Sequence, residues 1–227
     1  MTISAVLLFG SRARGDHEEG SDLDLLFVTS EPQPRHRAVD HISLSLYPLN
    51  TLLDRAAGGD LFVCHLVYEA KPIYDPTGEL ARLRAAFRFC DSYAREVAHA
   101  SDLGWMLARF GRSAPNSSLA NRRIAWCVRT ILIARSAERR HPVFSQRDLA
   151  AFAAQESVAR LIRQKSSDGP PSQEVLGELR RFLEQWGERD PVPAAAEAFD
   201  YEHTFVQSGN DVGRQTLEGV MSDQDYA

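Results

Sequence analysis

The chain changes its hydrophobic period once, at Asp75-Pro-Thr-Gly, and that change limits what it can fold into. Before this point short apolar runs are bounded by turn residues. Ile3 to Phe9 and Leu23 to Val28 read as strands, and a Pro-rich hinge, Glu31-Pro-Gln-Pro, leads to a third strand, His41 to Tyr47. There Ile42, Leu44 and Leu46 share one face, and His41, Ser43, Ser45 and Tyr47 the other. Asn50 and Asp60 are suited to cap two short helices, one ending at Gly58-Gly59 and one near Ala70, before a short fourth strand, Lys71 to Tyr74. After the change, Leu80, Leu83, Phe87, Cys90, Tyr93 and Val97 recur at helical spacing, and the apolar content continues to Phe110. A second helix spans Leu119 to Ala137, Ser145 caps a third that carries Leu149 to Ile162, and Ser172 caps a fourth ending near Trp186. Short strands followed by long helices describe an α+β chain. The expected parts are an α/β unit over 1–76, an antiparallel helical bundle over 77–190 and an acidic, loosely structured tail over 191–227.

At 227 residues, 44% hydrophobic and 25% charged, the composition excludes collagen-like, coiled-coil and mostly disordered chains. Three cysteines, Cys64, Cys90 and Cys127, are too few and scattered for a disulfide framework or a zinc cluster. The apolar run from Ala5 to Phe9 is too short to span a membrane and lacks the flanks of a signal peptide, so a cytoplasmic protein is expected. Net charge is −5, which argues against wholesale coating of nucleic acid. The charge is uneven, however: Arg109 to His141 holds eight arginines against Glu138 alone, and the chain from Gly187 onward is strongly acidic.

The chemistry concentrates in Leu8-Phe-Gly-Ser-Arg-Ala-Arg-Gly-Asp-His-Glu-Glu-Gly-Ser-Asp-Leu-Asp-Leu-Leu-Phe-Val. Asp22 and Asp24 are two apart at a strand, so both carboxylates leave the same face, within reach of one hard cation such as Mg²⁺. Gly10 permits close backbone approach, and Ser11 offers a hydroxyl and an amide to phosphate oxygens. Arg12 and Arg14 add cationic donors beside them. A phosphate cradle joined to an aspartate pair suits phosphoryl or nucleotidyl transfer.

This stretch resembles the minimal nucleotidyltransferase branch of the DNA polymerase β-like nucleotidyltransferase superfamily. The matching positions are Gly10, Ser11, Arg12, Arg14, Gly15, Asp22 and Asp24, and the resemblance covers residues 1 to about 75. It implies a mixed sheet, an NTP substrate (ATP above the others), Mg²⁺, and attack of an acceptor hydroxyl on the α-phosphate with pyrophosphate leaving. The acceptor stays open among a protein side chain, a tRNA end and a small molecule. The pattern departs from the family twice. The family has a third carboxylate on the next strand; parity gives that position a serine, Ser43, while Asp40, the nearest acid, is in phase with Ile42 and Leu44. The helix that usually precedes the first strand is not seen, so one sheet face is expected to be covered by the helical domain or a partner chain, and a homo-oligomer is possible.

Other residues are weaker candidates. His65 and Glu69, four apart on a helix, form a pair suited to base or nucleobase contacts. Arg122 and Arg129 are the bundle residues expected to reach the triphosphate. Arg135 and His141 resemble the Arg-x4–6-His motif of HEPN ribonucleases, which often accompany minimal nucleotidyltransferases in toxin–antitoxin or defence settings. Two rivals to a nucleotidyltransferase therefore stand: a catalytically weakened, nucleotide-binding, antitoxin-like partner protein, and an RNA-binding or RNA-cutting bundle.

Overall fold

A computed structural model describes residues 2–17 and 20–221, and the chain divides into two compact units, one ending at Asp91 and one beginning at Ser92. In the first, β1 (Ile3–Phe9) leads into a short helix α1 (Gly10–Arg14), then β2 (Leu23–Thr29), β3 (Arg35–Val39) and β4 (Ile42–Pro48). Helices α2 (Leu49–Ala57) and α3 (Leu61–Glu69), strand β5 (Lys71–Tyr74) and helix α4 (Glu79–Ala86) complete it. The five strands lie in the order β3-β4-β2-β1-β5. Only β2 and β4 run parallel, so the sheet is mixed, as the sequence resemblance implies.

One face of this sheet makes the core of the unit. Ala5, Leu7 and Phe9 of β1, Leu26 and Val28 of β2 and Tyr47 of β4 pack against Leu52 and Ala56 of α2, Val63 and Leu66 of α3, and Leu80 and Leu83 of α4. Each fully buried leucine contributes roughly 1.5–3 kcal/mol of transfer free energy. On β4 the buried residues are Ser45 and Tyr47, so the covered face is the polar one of the two that alternation defines. Hydrogen bonds satisfy it: Ser45 Oγ lies 3.1 Å from His36 Nδ1, His36 Nε2 lies 3.0 Å from the Tyr47 hydroxyl, and Arg55 Nη1 donates to that hydroxyl at 3.0 Å. Burial, and then the Arg55 charge, push the His36 pKa below the ordinary histidine value.

Several sequence expectations require correction. The segment after the Pro-rich hinge is a strand, β3, paired antiparallel with β4; its charged, exposed sequence Arg-His-Arg-Ala-Val hides it from hydrophobic pattern. Helix α2 begins at Leu49 behind Pro48, without a side-chain cap, so Asn50 lies inside the helix. Asp60 does cap α3, accepting from the Val63 amide at 3.0 Å. The long periodic run from Leu80 to Phe110 is two helices: α4 ends where Phe87 turns extended, and α4 belongs to the first core through Leu80 and Leu83. The unit boundary accordingly falls at Asp91 rather than at residue 76.

The second unit is helical: α5 (Ala94–Phe110), α6 (Ser117–Glu138), α7 (Gln146–Ala153), α8 (Glu156–Arg163), α9 (Gln173–Trp186), α10 (Asp200–Ser208) and α11 (Asp211–Met221). Ser145 and Ser172 cap α7 and α9 by accepting from the Asp148 and Val175 amides. The expected third helix is divided at Ala154, which takes φ 52° and ends α7. The tail from Pro191 is not loosely structured over its described part. Tyr201 and Phe205 of α10 and Leu217 and Val220 of α11 are buried, and Tyr201 donates to Asp190 at 2.8 Å. Residues 222–227 lie outside the described residues. No helix among the described residues is long and apolar enough to cross a membrane.

Candidate active site

The end of β1 and the start of β2 run side by side, with Phe9 opposite Asp24 in the antiparallel register. The chain must then turn sharply into α1, and it does so at Gly10 with φ +72°. The turn passes directly over the Asp24 carboxylate. A Cβ at Gly10 would overlap Asp24 Oδ2 and lie 3.2 Å from its Cγ. Glycine is thus required twice, by backbone conformation and by space. Ser11 follows, half-buried, and its carbonyl accepts from the Gly15 and Asp16 amides at 2.9 and 3.2 Å, closing α1 with Gly15 at φ +85°.

The two arginines of the motif hold the surrounding backbone. Arg12 donates to the Ser21 carbonyl through Nε (3.2 Å) and Nη2 (2.9 Å), tying α1 to the approach to β2. Arg14 donates to Asp16 at 3.0 Å and to Glu69 Oε2 at 2.7 Å, and His65 Nε2 meets the same Glu69 oxygen. Half-burial disfavours the Arg14 charge, but Asp16 and Glu69 outweigh it and hold its pKa above the ordinary arginine value. The His65 ring also stands edge-on to Phe9, with centroids 5.7 Å apart. His65, Glu69 and Arg14 therefore form one polar group joining α3 to α1, beside the residue that precedes Gly10.

Asp24 has a second neighbour. In the parallel ladder it pairs with Ser43, so a hydroxyl stands on β4 directly beside the carboxylate. Asp22 is two residues earlier, just ahead of β2, and mostly exposed. The ladder begins with the Leu23 amide donating to the His41 carbonyl at 2.7 Å, which brings His41 Nδ1 to 4.0 Å from Asp22 Oδ1. Asp40 is exposed and sits with His41 in the tight turn between Val39 and Ile42, at φ 50°. It is not a register neighbour of Asp24; β4 starts only at Ile42.

The donor chemistry can be tested against Mg²⁺. Among the described residues no group of three or more Asp, Glu, His or Cys side chains is arranged to hold a metal ion. Two carboxylates fit a Mg²⁺ that keeps water and phosphate oxygens as its other ligands, which is how Mg²⁺ is usually held beside a nucleotide. They do not supply the third acid for a second ion, because Ser43 stands on β4 where that acid would be needed.

Among the bundle candidates, Arg122 and Arg129 lie on α6 of the second unit, and Arg122 donates to Ser118 Oγ at 3.1 Å. Arg135 is paired with Glu138 and Glu188 at 3.3 and 3.2 Å, while His141 is exposed, so the arginine of the ribonuclease-like motif is committed to ion pairs. Sequence reasoning missed two site features. The contact of Arg14 with Glu69 spans 55 residues and leaves no local trace, and His41, which alternation assigns to the third strand, lies instead in the turn before β4, where it meets Asp22.

Residues 2–99 match the family described as nucleotidyltransferase domain. No curated protein matches the chain in sequence. Among solved structures, the chain is similar to a nucleotidyltransferase-like protein from Exiguobacterium sibiricum 255-15, at 16% identity over 98% of this chain and 75% of that one. The TM-score of 0.32 is too low to support a detailed superposition.

Proposed function

We propose, from the match of residues 2–99 to the nucleotidyltransferase domain family, that the chain transfers a nucleoside monophosphate from Mg-bound NTP, with ATP the first choice, to an acceptor hydroxyl in the cytoplasm. The acceptor oxygen bonds to the α-phosphorus, the bond from that phosphorus to the bridging oxygen breaks, pyrophosphate leaves, and the acceptor gives up its proton. The observation that carries this reading is the overlap a Gly10 side chain would make with the Asp24 carboxylate. A turn bearing only hydrogen at that point runs its backbone against Asp24, so that phosphate oxygens bound by the Gly10–Ser11 turn and a cation on Asp24 would share one space.

Each residue then has a task. Gly10 and Ser11 bind phosphate oxygens. Arg12 fixes the approach to Asp22 through the Ser21 carbonyl, and Arg14, with Asp16 and Glu69, fixes α1 against α3. Asp22 and Asp24 would hold Mg²⁺, which supplies charge neutralisation at the polyphosphate. Orientation of the α-phosphate toward the acceptor does most of the remaining work. The acceptor, whether protein, tRNA end or small molecule, carries its hydroxyl to the side of Asp24 where Ser43 stands.

Ser43 also supports the second reading, a nucleotide-binding protein of weak catalytic power, since serine cannot take the acceptor proton as a carboxylate does. One assay separates them: incubation of the protein with each radiolabelled NTP and Mg²⁺. Label transfer with pyrophosphate release, abolished in the Asp22→Ala/Asp24→Ala variant, supports the transferase. Tight NTP binding without turnover supports the binding protein, and turnover retained in the double variant removes the site assignment altogether.

A further inference from the structure

Strand β3 closes one edge of the sheet, and all five of its residues are exposed. An edge strand leaves every second amide and carbonyl unpaired on its outer side, which is a template for another strand. The face behind it is unusual in two respects. Val6, Leu8, Leu25, Phe27, Leu44 and Leu46 point away from α2, α3 and α4 and are only half-buried. On the same face, Arg35, Arg37 and Val39 of β3 stand opposite Leu46, Leu44 and Ile42. Arg35 and Arg37 rim a cavity of about 300 Å³ floored by Phe27, Leu44 and Leu46. Glu31 reaches Arg35 at 3.7 Å, whereas Arg37 has no ion-pair partner among the described residues.

The charges select the occupant. Antiparallel pairing of two copies of β3 about a two-fold axis centred on Arg37 sets Arg37 against its own copy. A shift of register toward Arg35 sets Arg35 against Arg37. Like charges directly opposite each other destabilise a strand pair, so these registers disfavour a second copy, and a shift toward Val39 escapes the repulsion only by leaving Arg37 opposite Val39 with no charge complement. The opposite charge is favoured at the same positions. We infer that β3 is a docking edge for an extended acidic segment of a partner protein, which adds antiparallel to it as a sixth strand.

The register defines the segment. Read from its N-terminus, it carries an apolar residue opposite Val39, which is 55% exposed, then an acidic residue opposite Arg37 and another opposite Arg35, each separated by one residue on the other face. Main-chain bonds supply sequence-independent affinity, and the two acid–arginine pairs, with an apolar floor beside them, supply specificity. The other edge, β5, is shorter and contains Pro72, which lacks an amide hydrogen to donate, so it does not offer the same template.

The test is fluorescence polarisation of the full chain with a labelled peptide, acetyl-Thr-Val-Thr-Glu-Thr-Glu-Thr-amide, against the same peptide with both Glu replaced by Lys. The acidic peptide binds saturably and the lysine peptide about tenfold or more weaker, the sum of two cross-strand charge pairs. Arg35→Glu combined with Arg37→Glu reverses the order, weakening the acidic peptide and strengthening the lysine peptide, while Mg-NTP turnover is unchanged because both residues are outside the nucleotide site. N-methylation of alternate peptide amides on one strand edge abolishes binding, and amide exchange at 35–39 slows in the complex. Absence of acidic-peptide binding, equal binding of the two peptides, or displacement by single-stranded oligothymidylate at matched concentration overturns the proposal; the last would make the surface a phosphate-binding one.

Discussion

Two glycines of the motif share a left-handed backbone and differ only in what stands above them, so they make a matched pair. Gly10 has φ +72° and Gly15 has φ +85°. Substituting alanine at either costs the left-handed strain of about 1–2 kcal/mol. At Gly15 nothing lies within 4 Å of an added Cβ, and the cost ends there. At Gly10 the added Cβ overlaps Asp24 Oδ2, so the carboxylate has to retreat by about 1 Å to reach ordinary contact distance. A displacement of that size in a group that positions reacting atoms costs on the order of 10²-fold in rate. Thermal denaturation and Mg-dependent pyrophosphate release, measured on both variants, separate the two effects. Gly15→Ala is expected to lose a few degrees of Tm and keep kcat/KM within a few fold. Gly10→Ala is expected to lose at least as much Tm and about 10²-fold in kcat/KM. Equal activities in the two variants, or a Gly10→Ala crystal structure with Asp24 unmoved, would refute the reasoning.

Three further perturbations address other parts of the molecule. Ser43→Asp restores an acid beside Asp24; turnover should rise, with a new dependence on a second Mg²⁺ in metal titrations, and an unchanged rate would show that acceptor activation does not run through this position. Glu69→Gln removes the charge shared by Arg14 and His65 and should lower stability by about 1–3 kcal/mol in urea denaturation, since Glu69 is only 8% exposed and Arg14 is left half-buried with Asp16 as its remaining ion pair. In the helical unit, burial, with Asp190 and Glu188 adding to it, pushes the Asp102 pKa up to about 6. The folded state therefore holds this proton more tightly than the unfolded chain. Its ionisation costs stability progressively as pH rises from about 4 to 6, on the order of 2–3 kcal/mol in full. Asp102→Asn should abolish that loss and leave the variant the more stable form at pH 7; parallel stability–pH curves for the two proteins would contradict it.

The parts of the fold legible in the sequence are those fixed by local chemistry. Gly10 and Gly15 declare a tight turn because few other residues tolerate their left-handed backbone, and the Asp22/Asp24 pair stands out as acids at a strand entrance. Asp60, Ser145 and Ser172 declare helix starts because each accepts from an amide three residues on. Alternation in β4 separates its two faces correctly and assigns Ser43 to the face of Asp24. It does not tell which face the helices cover, since burial of Ser45 and Tyr47 depends on partners His36 and Arg55 supplied by other elements. Strand β3 is invisible to pattern because an edge strand need bury neither face. The breaks at Phe87 and Ala154 fall on residues that ordinarily continue a helix, so the divisions there come from packing. The union of Arg14 with Glu69, and of His41 with Asp22, exists only once the sheet has formed.

The most direct test of the nucleotide site is a crystal structure of the chain soaked with Mn²⁺ and a non-hydrolysable ATP analogue, recorded at the manganese absorption edge. The account predicts an anomalous peak coordinated by Asp22 and Asp24, with phosphate oxygens on the Gly10 and Ser11 amides. A nucleotide bound elsewhere, or manganese without contact to either aspartate, would contradict it.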